Sequence, residues 1–353
     1  MTIDEKIHVV LEQAVTAPSG DNSQPWWFHL NGNVLEVNMI PDKDNPILNF
    51  RLSGSYIALG ALIENISILS TEEKLGTKIS LLPEKNSPYL IARISFTEDE
   101  NIEQDELAPF VTKRATNRKP YHKKVLPKEF IDDILSSMNE REGGSMVVLS
   151  TDTAVIKATA IASSTMERVA LETEAIHKLF FGNIVWSEEE EIARGMGLPI
   201  KTTELPPPIQ LLFRWIKKWE NTKLLNRIGL SKMASAANAQ TYATTPVVGV
   251  ILAKAFEPEA YVEAGRLFER VWIKATRYGL AFQPVTGILF LAQRVLAKET
   301  EMLNPQHLPL IESAYNTIKK QFNINEEVPA LYFRIGYADK PSANTRRRPP
   351  EFR

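Results

Sequence analysis

The chain contains no cysteine among its 353 residues. That excludes disulfides, thiolate metal sites, a cysteine nucleophile and a dithiol redox pair, and leaves the compartment open. The five histidines, His8, His29, His122, His177 and His307, are scattered and form no metal-ligand spacing. There is no Gly-x-Gly-x-x-Gly fingerprint, and Arg194-Gly195-Met196-Gly197 is too short for a phosphate loop. Neither sign of charge dominates. The net charge of −2 predicts no bulk attraction to nucleic acid or anionic membranes. Arg346-Arg347-Arg348 lacks the wider basic patch that nucleic-acid binding needs. Long apolar runs are also missing. Tyr56 to Leu69 is interrupted by Glu64 and Asn65 and is too short to span a bilayer. With no secretory leader recognisable, a cytoplasmic protein is the expectation.

What is present is ordinary for a globular protein: 44% hydrophobic and 24% charged residues, enough for one large or two ordinary domains. Thr2-x-x-Glu5 reads as a capping box, followed by Ile3, Ile7, Val10, Leu11, Ala14 and Val15 at helical spacing. Strands are expected at Trp27–Leu30 and Val34–Met39. Tyr56 to about Leu75 reads as a buried central helix, apolar nearly all round and stopped by Gly76. Strands at Lys78–Leu82 and Tyr89–Phe96, a helix over Pro127–Met138, a strand at Met146–Leu149, and a long helix from Thr153 to about Phe181, broken once, come next. Val247–Lys254 reads as a buried strand, Glu259–Tyr278 as a helix, Leu280 to Gly287 as a loop, Pro305–Gln321 as a helix and Ala330–Ile335 as a strand. Residues 186–240 are the least readable part and suit a lid or an insertion. Within them Leu212, Trp215, Ile216 and Trp219 recur at helical spacing between Arg214, Lys217 and Lys218. Such a helix can lie on a membrane; packing onto the protein body is the reading preferred here.

Three stretches carry chemistry. The stiff loop Ala17-Pro18-Ser19-Gly20-Asp21-Asn22-Ser23-Gln24-Pro25-Trp26 joins a helix to a strand and presents Ser19, Asn22 and Gln24. Prolines on either side of its turn limit the freedom lost on binding a polar heterocycle. Lys113-Arg114-Ala115-Thr116-Asn117-Arg118-Lys119 is either a solvated basic loop or an anion site, since arginine forks and a threonine hydroxyl suit a phosphate monoester. The third, Pro284-Val285-Thr286-Gly287, is singled out only by family resemblance. The sequence also repeats itself weakly: Gly60-Ala-Leu-Ile-Glu-Asn-Ile-Ser-Ile68 aligns with Gly265-Arg-Leu-Phe-Glu-Arg-Val-Trp-Ile273. Two copies of one α+β unit are expected.

Ala-Pro-Ser-x-x-Asn-x-Gln-Pro-Trp resembles the flavin-contacting loop of the FMN-dependent nitroreductase family, and Arg-Ala-Thr-Asn-Arg resembles its phosphate-binding motif. The likeness covers most of the chain outside 186–240 and is to the fused variety, in which two halves of one polypeptide imitate a dimer. It implies an α+β nitroreductase-like fold with antiparallel or mixed sheets flanked by helices. The first half would be 1–110 and the second 111–353. One FMN would be clasped between them, because each motif occurs once. The resemblance assigns Pro18, Ser19, Gly20, Asn22 and Gln24 to the loop that the family supplies from the opposite subunit. It places Arg114, Thr116 and Arg118 on the phosphate or flavin edge, Pro284, Val285, Thr286 and Gly287 near flavin N5, and Arg346 and Arg348 on the phosphate. It implies an oxidoreductase passing hydride from NAD(P)H to a nitroaromatic, quinone or similar small molecule, with no catalytic side chain because the flavin carries the chemistry. The paired halves would allow a monomer. Two other readings stand beside it: a flavin-sequestering protein with an occluded flavin, and a structural or membrane-surface protein using the helix at Ile209–Trp219.

Overall fold

The computed structural model describes residues 1–137 and 144–353. Thr2 caps the first helix, α1 (Ile3–Ala14), through the reciprocal box with Glu5, and its buried stripe is Ile7, Val10, Leu11 and Ala14. Strands β1 (Trp26–Asn31) and β2 (Val34–Met39) form a hairpin, with Gly32 supplying the left-handed turn. Helix α2 (Ser53–Ser70) is buried on nearly every side. It ends before the turn at Thr71–Lys74; Gly76 is not its stop but lies inside β3 (Leu75–Leu81). With β4 (Leu90–Glu98) these make an antiparallel sheet in the order β1-β2-β4-β3.

Next come α3 (Lys128–Ser136), β5 (Met146–Ser150), α4 (Thr153–Glu172) and α5 (Glu174–Asn183). The expected end of α3 at Met138 lies outside the described residues. The break in the long helix falls at Thr173, where the backbone turns extended. Residues 184–242 hold β6 (Ile184–Val185), α6 (Glu188–Arg194), β7 (Leu198–Pro199), α7 (Pro207–Ile216), α8 (Trp219–Asn226) and α9 (Leu230–Tyr242). Helix α9 packs along α4. The remainder is β8 (Val247–Ala253), α10 (Pro258–Arg277), β9 (Ala281–Pro284), α11 (Gly287–Leu296), α12 (Leu308–Gln321) and β10 (Val328–Gly336). The stretch expected as a loop, Leu280 to Gly287, thus contains a strand and the start of a helix that periodicity did not isolate.

The second antiparallel sheet runs β5-β8-β10-β9. Strand β8 is buried at every position, as an unbroken apolar run covered on both faces should be. All strands of the first sheet precede residue 110 and all strands of the second follow it. Between the sheets α2 and α10 cross at the two glycines of the sequence repeat. A Cβ on Gly60 would lie 2.0 Å from the Val262 carbonyl oxygen, and one on Gly265 would lie 2.1 Å from that of Ile57. The contact is reciprocal: each glycine meets the residue three positions before the other. The tail returns across the molecule, where Phe28 donates to the Glu351 carbonyl and Arg353 donates to that of Phe28, adding a short parallel bridge to β1.

Candidate functional site

One cavity of about 420 Å³ opens where the two sheets' connections meet. Its volume falls in the range of small-molecule sites, roughly 300–1,000 Å³. Pro18, Ser19, Gly20 and Asn22 line it from the first loop. That loop is strained: Asp21, Asn22 and Gln24 all take left-handed φ, at 47°, 57° and 52°. Asp and Asn tolerate this conformation better than most residues, and such outliers persist where surroundings over-determine them. Gln24, expected to face a ligand, is instead the pin. Its Nε2 donates to the carbonyls of Asn22 and Gly195, and its Oε1 accepts from the Arg348 amide at 2.7 Å. Asn22 donates to the Arg346 carbonyl at 2.9 Å, while its Oδ1 is buried without a partner among the described residues.

Arg114, Thr116 and Arg118 line the opposite wall. The Thr116 backbone bridges to Phe282 of β9, which fixes the segment beside the second sheet. Arg114 is almost fully buried and is held three ways: by Glu269 of α10 at 2.8 Å, by the Thr16 carbonyl at 2.5 Å, and by the Trp272 face at 4.3 Å. Trp272 stacks on Phe282, and Phe282 on Phe333, each pair at 4.8 Å. A ring stack running from the second sheet therefore sets the position of this guanidinium. Burial pushes the Glu269 carboxyl upward and Arg114 opposes it. Arg118 donates to the Thr202 carbonyl at 3.1 Å; burial lowers its pKa, against the pull of Tyr242 and Asp21. Pro284, Val285, Thr286 and Gly287 complete the floor at the start of α11. Gly287 leaves room for Met166, whose side chain a Cβ would meet at 2.9 Å.

The tail arginines are arranged differently from the expectation. Arg346 turns its guanidinium outward onto Glu188, and Arg348 reaches the Arg194 carbonyl at 2.7 Å. Arg347, between them, lines the cavity and donates to the Ala17 carbonyl and to Thr345. The tail has no regular secondary structure here, and no sequence signal set Arg347 apart from its neighbours. Burial pushes Arg347 down to about 9, with Arg114 repelling it and Glu269 opposing the shift.

Other lining residues carried no motif. Asp44 contacts the loop so closely that a Cβ on Gly20 would lie 2.8 Å from its Oδ1. Glu167 of α4 accepts from the Tyr242 hydroxyl of α9 at 2.8 Å and leaves Oε2 buried without a hydrogen-bond partner among the described residues. Burial raises both carboxyls to about 7. Segment 183–198 closes over the loop: Asn183 donates to Asp21 at 2.7 Å and the Gly197 amide donates to its carbonyl at 3.0 Å.

In structure the chain is similar to FMN-dependent nitroreductases. A nitroreductase with bound FMN from Bacteroides fragilis is 8% identical with a TM-score of 0.35, covering 67% of this chain and 90% of its own. The nitroreductase NfnB of Mycobacterium smegmatis, solved with NADPH, is 14% identical with a TM-score of 0.36, covering 66% and 88%. In sequence, an uncharacterised protein of Mycobacterium tuberculosis is 23% identical over 356 residues, covering 96% of this chain and 47% of that protein. The chain thus spans about half the length of the curated relative it matches. No protein-family model matches. Similarity this low leaves the functional reading to the cavity itself.

The raised Glu167 carboxyl has a measurable consequence for stability. Its folded pKa, about 7, lies above the unfolded value near 4.5, so the protein takes up a proton there on folding. The stability tied to that proton is present below about 4.5 and lost as pH rises through about 7. Glu167→Gln keeps the acceptor for Tyr242 and removes the titration. In flavin-free protein it should raise Tm by a few degrees at pH 8 and change it little near pH 4.5. Equal shifts at the two pH values would show that proton uptake at Glu167 is not the cause.

Proposed function

We propose that this chain binds one FMN in the cavity and acts as a nitroreductase-type oxidoreductase, with NAD(P)H as reductant and a nitroaromatic, quinone or similar small molecule as acceptor. The observation that carries the reading is the convergence of three separate motifs, at 18–22, 114–118 and 284–287, on the same cavity. The residues suit the cofactor's chemistry. Arg114 and Arg347, with the hydroxyls of Thr345 and Ser19, offer a phosphate group two neighbouring guanidiniums whose mutual repulsion the single Glu269 carboxylate only partly offsets. The unpartnered Asn22 Oδ1 suits a ring N–H. Backbone amides at Thr286 and Gly287 begin a helix, a placement that favours developing negative charge. Bound FMN would supply hydride transfer; the protein's part is to hold it, orient it and exclude water. The reciprocal crossing of Gly60 and Gly265 supports a fused pseudo-dimer in which the two halves together form a single site.

A second reading is favoured by the cover that segment 183–198 places on the loop, since a closed cover would sequester flavin without turnover. The visible spectrum separates the two. After saturation with FMN, the protein should retain a flavin band that anaerobic NADPH or NADH bleaches. A retained band that neither bleaches favours sequestration, and no retained flavin ends both readings. Arg347→Ala should weaken FMN retention about 10- to 100-fold through loss of a buried charge-assisted contact. Arg346→Ala removes only an exposed ion pair with Glu188 and should leave retention within about twofold. The reverse ranking would mean that the phosphate is held elsewhere.

A further inference from the structure

The helices between residues 207 and 233 have two apolar faces, and only one of them is covered. Inward, Leu212, Phe213 and Ile216 of α7, with Leu225 of α8 and Leu230 of α9, pack on Leu171, Phe180 and Phe181. Outward, Leu211 and Trp215 of α7, Leu224 of α8, Ile228 of the following turn and Met233 of α9 are exposed, with Leu211 at 70% and Ile228 at 77%. Helix α7 touches α8 and α8 touches α9, so these exposed side chains lie on three consecutive, contacting helices. The same stretch holds six cations, Arg214, Lys217, Lys218, Lys223, Arg227 and Lys232, all exposed, against a single acid, Glu220. Among the described residues none of the six is in an ion pair. A chain of net charge −2 thus concentrates positive charge and uncovered apolar side chains on one element.

We propose that the α7–α9 segment is a docking surface for an anionic phospholipid bilayer. Apolar side chains entering the headgroup boundary, a tryptophan among them, and long cations reaching back to phosphate are what such a surface requires. Charge argues against a second copy of this chain as the occupant, because a two-fold contact would set the six cations against their own equivalents. The segment leading into α7 also carries Leu198 and Thr202 of the cavity wall. Docking would therefore place the bilayer close to the element that covers the site.

The test is co-sedimentation of the full chain with vesicles, and it needs no flavin. Binding is expected to vesicles of phosphatidylcholine containing about one third phosphatidylglycerol, not to pure phosphatidylcholine, and should fall steeply in high salt. Lys217→Glu with Lys218→Glu and Arg227→Glu should lower partitioning about 100-fold or more. Leu211→Glu with Ile228→Glu should lower it at least about 10-fold. All five positions are exposed, and an unchanged Tm would confirm that each variant folds. No binding by the unaltered protein at low salt, equal binding to uncharged vesicles, or full binding by both variants would overturn the proposal. So would self-association on a sizing column that Leu211→Glu with Ile228→Glu abolishes, in the absence of vesicle binding.

Discussion

Arg114→Ala should cost about 3–5 kcal/mol of folding stability, well beyond the effect of an ordinary surface arginine. From the sequence the residue reads as a member of either a solvated basic run or an anion site. In the structure its guanidinium is buried against Glu269, which has no exposure at all. Removing the arginine strands that carboxylate in an apolar surround and also deletes the cap on the Trp272 face. The loss should be coupled to its partner. Glu269→Gln in the Arg114→Ala background should recover at least about 1 kcal/mol, because it removes the uncompensated charge. Urea unfolding of the four proteins in the cycle measures this. Additive losses would mean that water or another group already compensates Glu269. The same variant should fail to retain FMN, but that result carries weight only beside Arg347→Ala, which touches the cavity without breaking a buried ion pair.

Gly60→Ala should destabilise the protein by about 3 kcal/mol or more, and Gly265→Ala by a similar amount. Alanine normally improves a helix interior over glycine by up to about 1 kcal/mol. Here the sign reverses because the new methyl meets backbone rather than a movable side chain. The obstacle is Val262 O at 2.0 Å in one case and Ile57 O at 2.1 Å in the other. Relief requires α2 and α10 to separate, and these helices carry much of the core between the two sheets. Because both glycines sit at one crossing, the double variant should cost less than the sum, since one separation relieves both clashes. A Gly60→Ala protein as stable as the parent, read by urea midpoint at constant slope, would show that the helices can part cheaply.

The secondary structure was legible where period and punctuation were strong. The Thr2 cap, the strands β1 and β2, the buried run of β8 and the broken long helix follow from local side-chain spacing and turn chemistry. Segment 186–240 was not legible. Its helices are short and follow one another with little linker, so only the period at Ile209–Trp219 stood out, and there α7 ends at Ile216 with Trp219 opening α8. The weighing of α7 as either packed or surface-bound also presumed a single apolar face. Packing accounts for Leu212 and Ile216, while Leu211 and Trp215 remain on the outside. Helix α11 was hidden because its apolar start follows directly on a strand.

From the sequence alone came the three motif loops, the glycine-bearing repeat and the exclusion of thiol chemistry, all properties of residue type and near spacing. The tertiary structure decided which of those residues share a cavity and which way each points. Gln24 became a brace because a left-handed backbone turns its amide into the loop. Arg347 replaced its two neighbours at the wall because Glu188 and the Arg194 carbonyl hold the other two guanidiniums outside it. Asp44, Glu167 and Tyr242 joined the site with no local signal, since the contacts that gather them span far more of the chain than any motif window. Periodicity is a local property, and a cavity between distant segments is set by packing that closes over the whole chain.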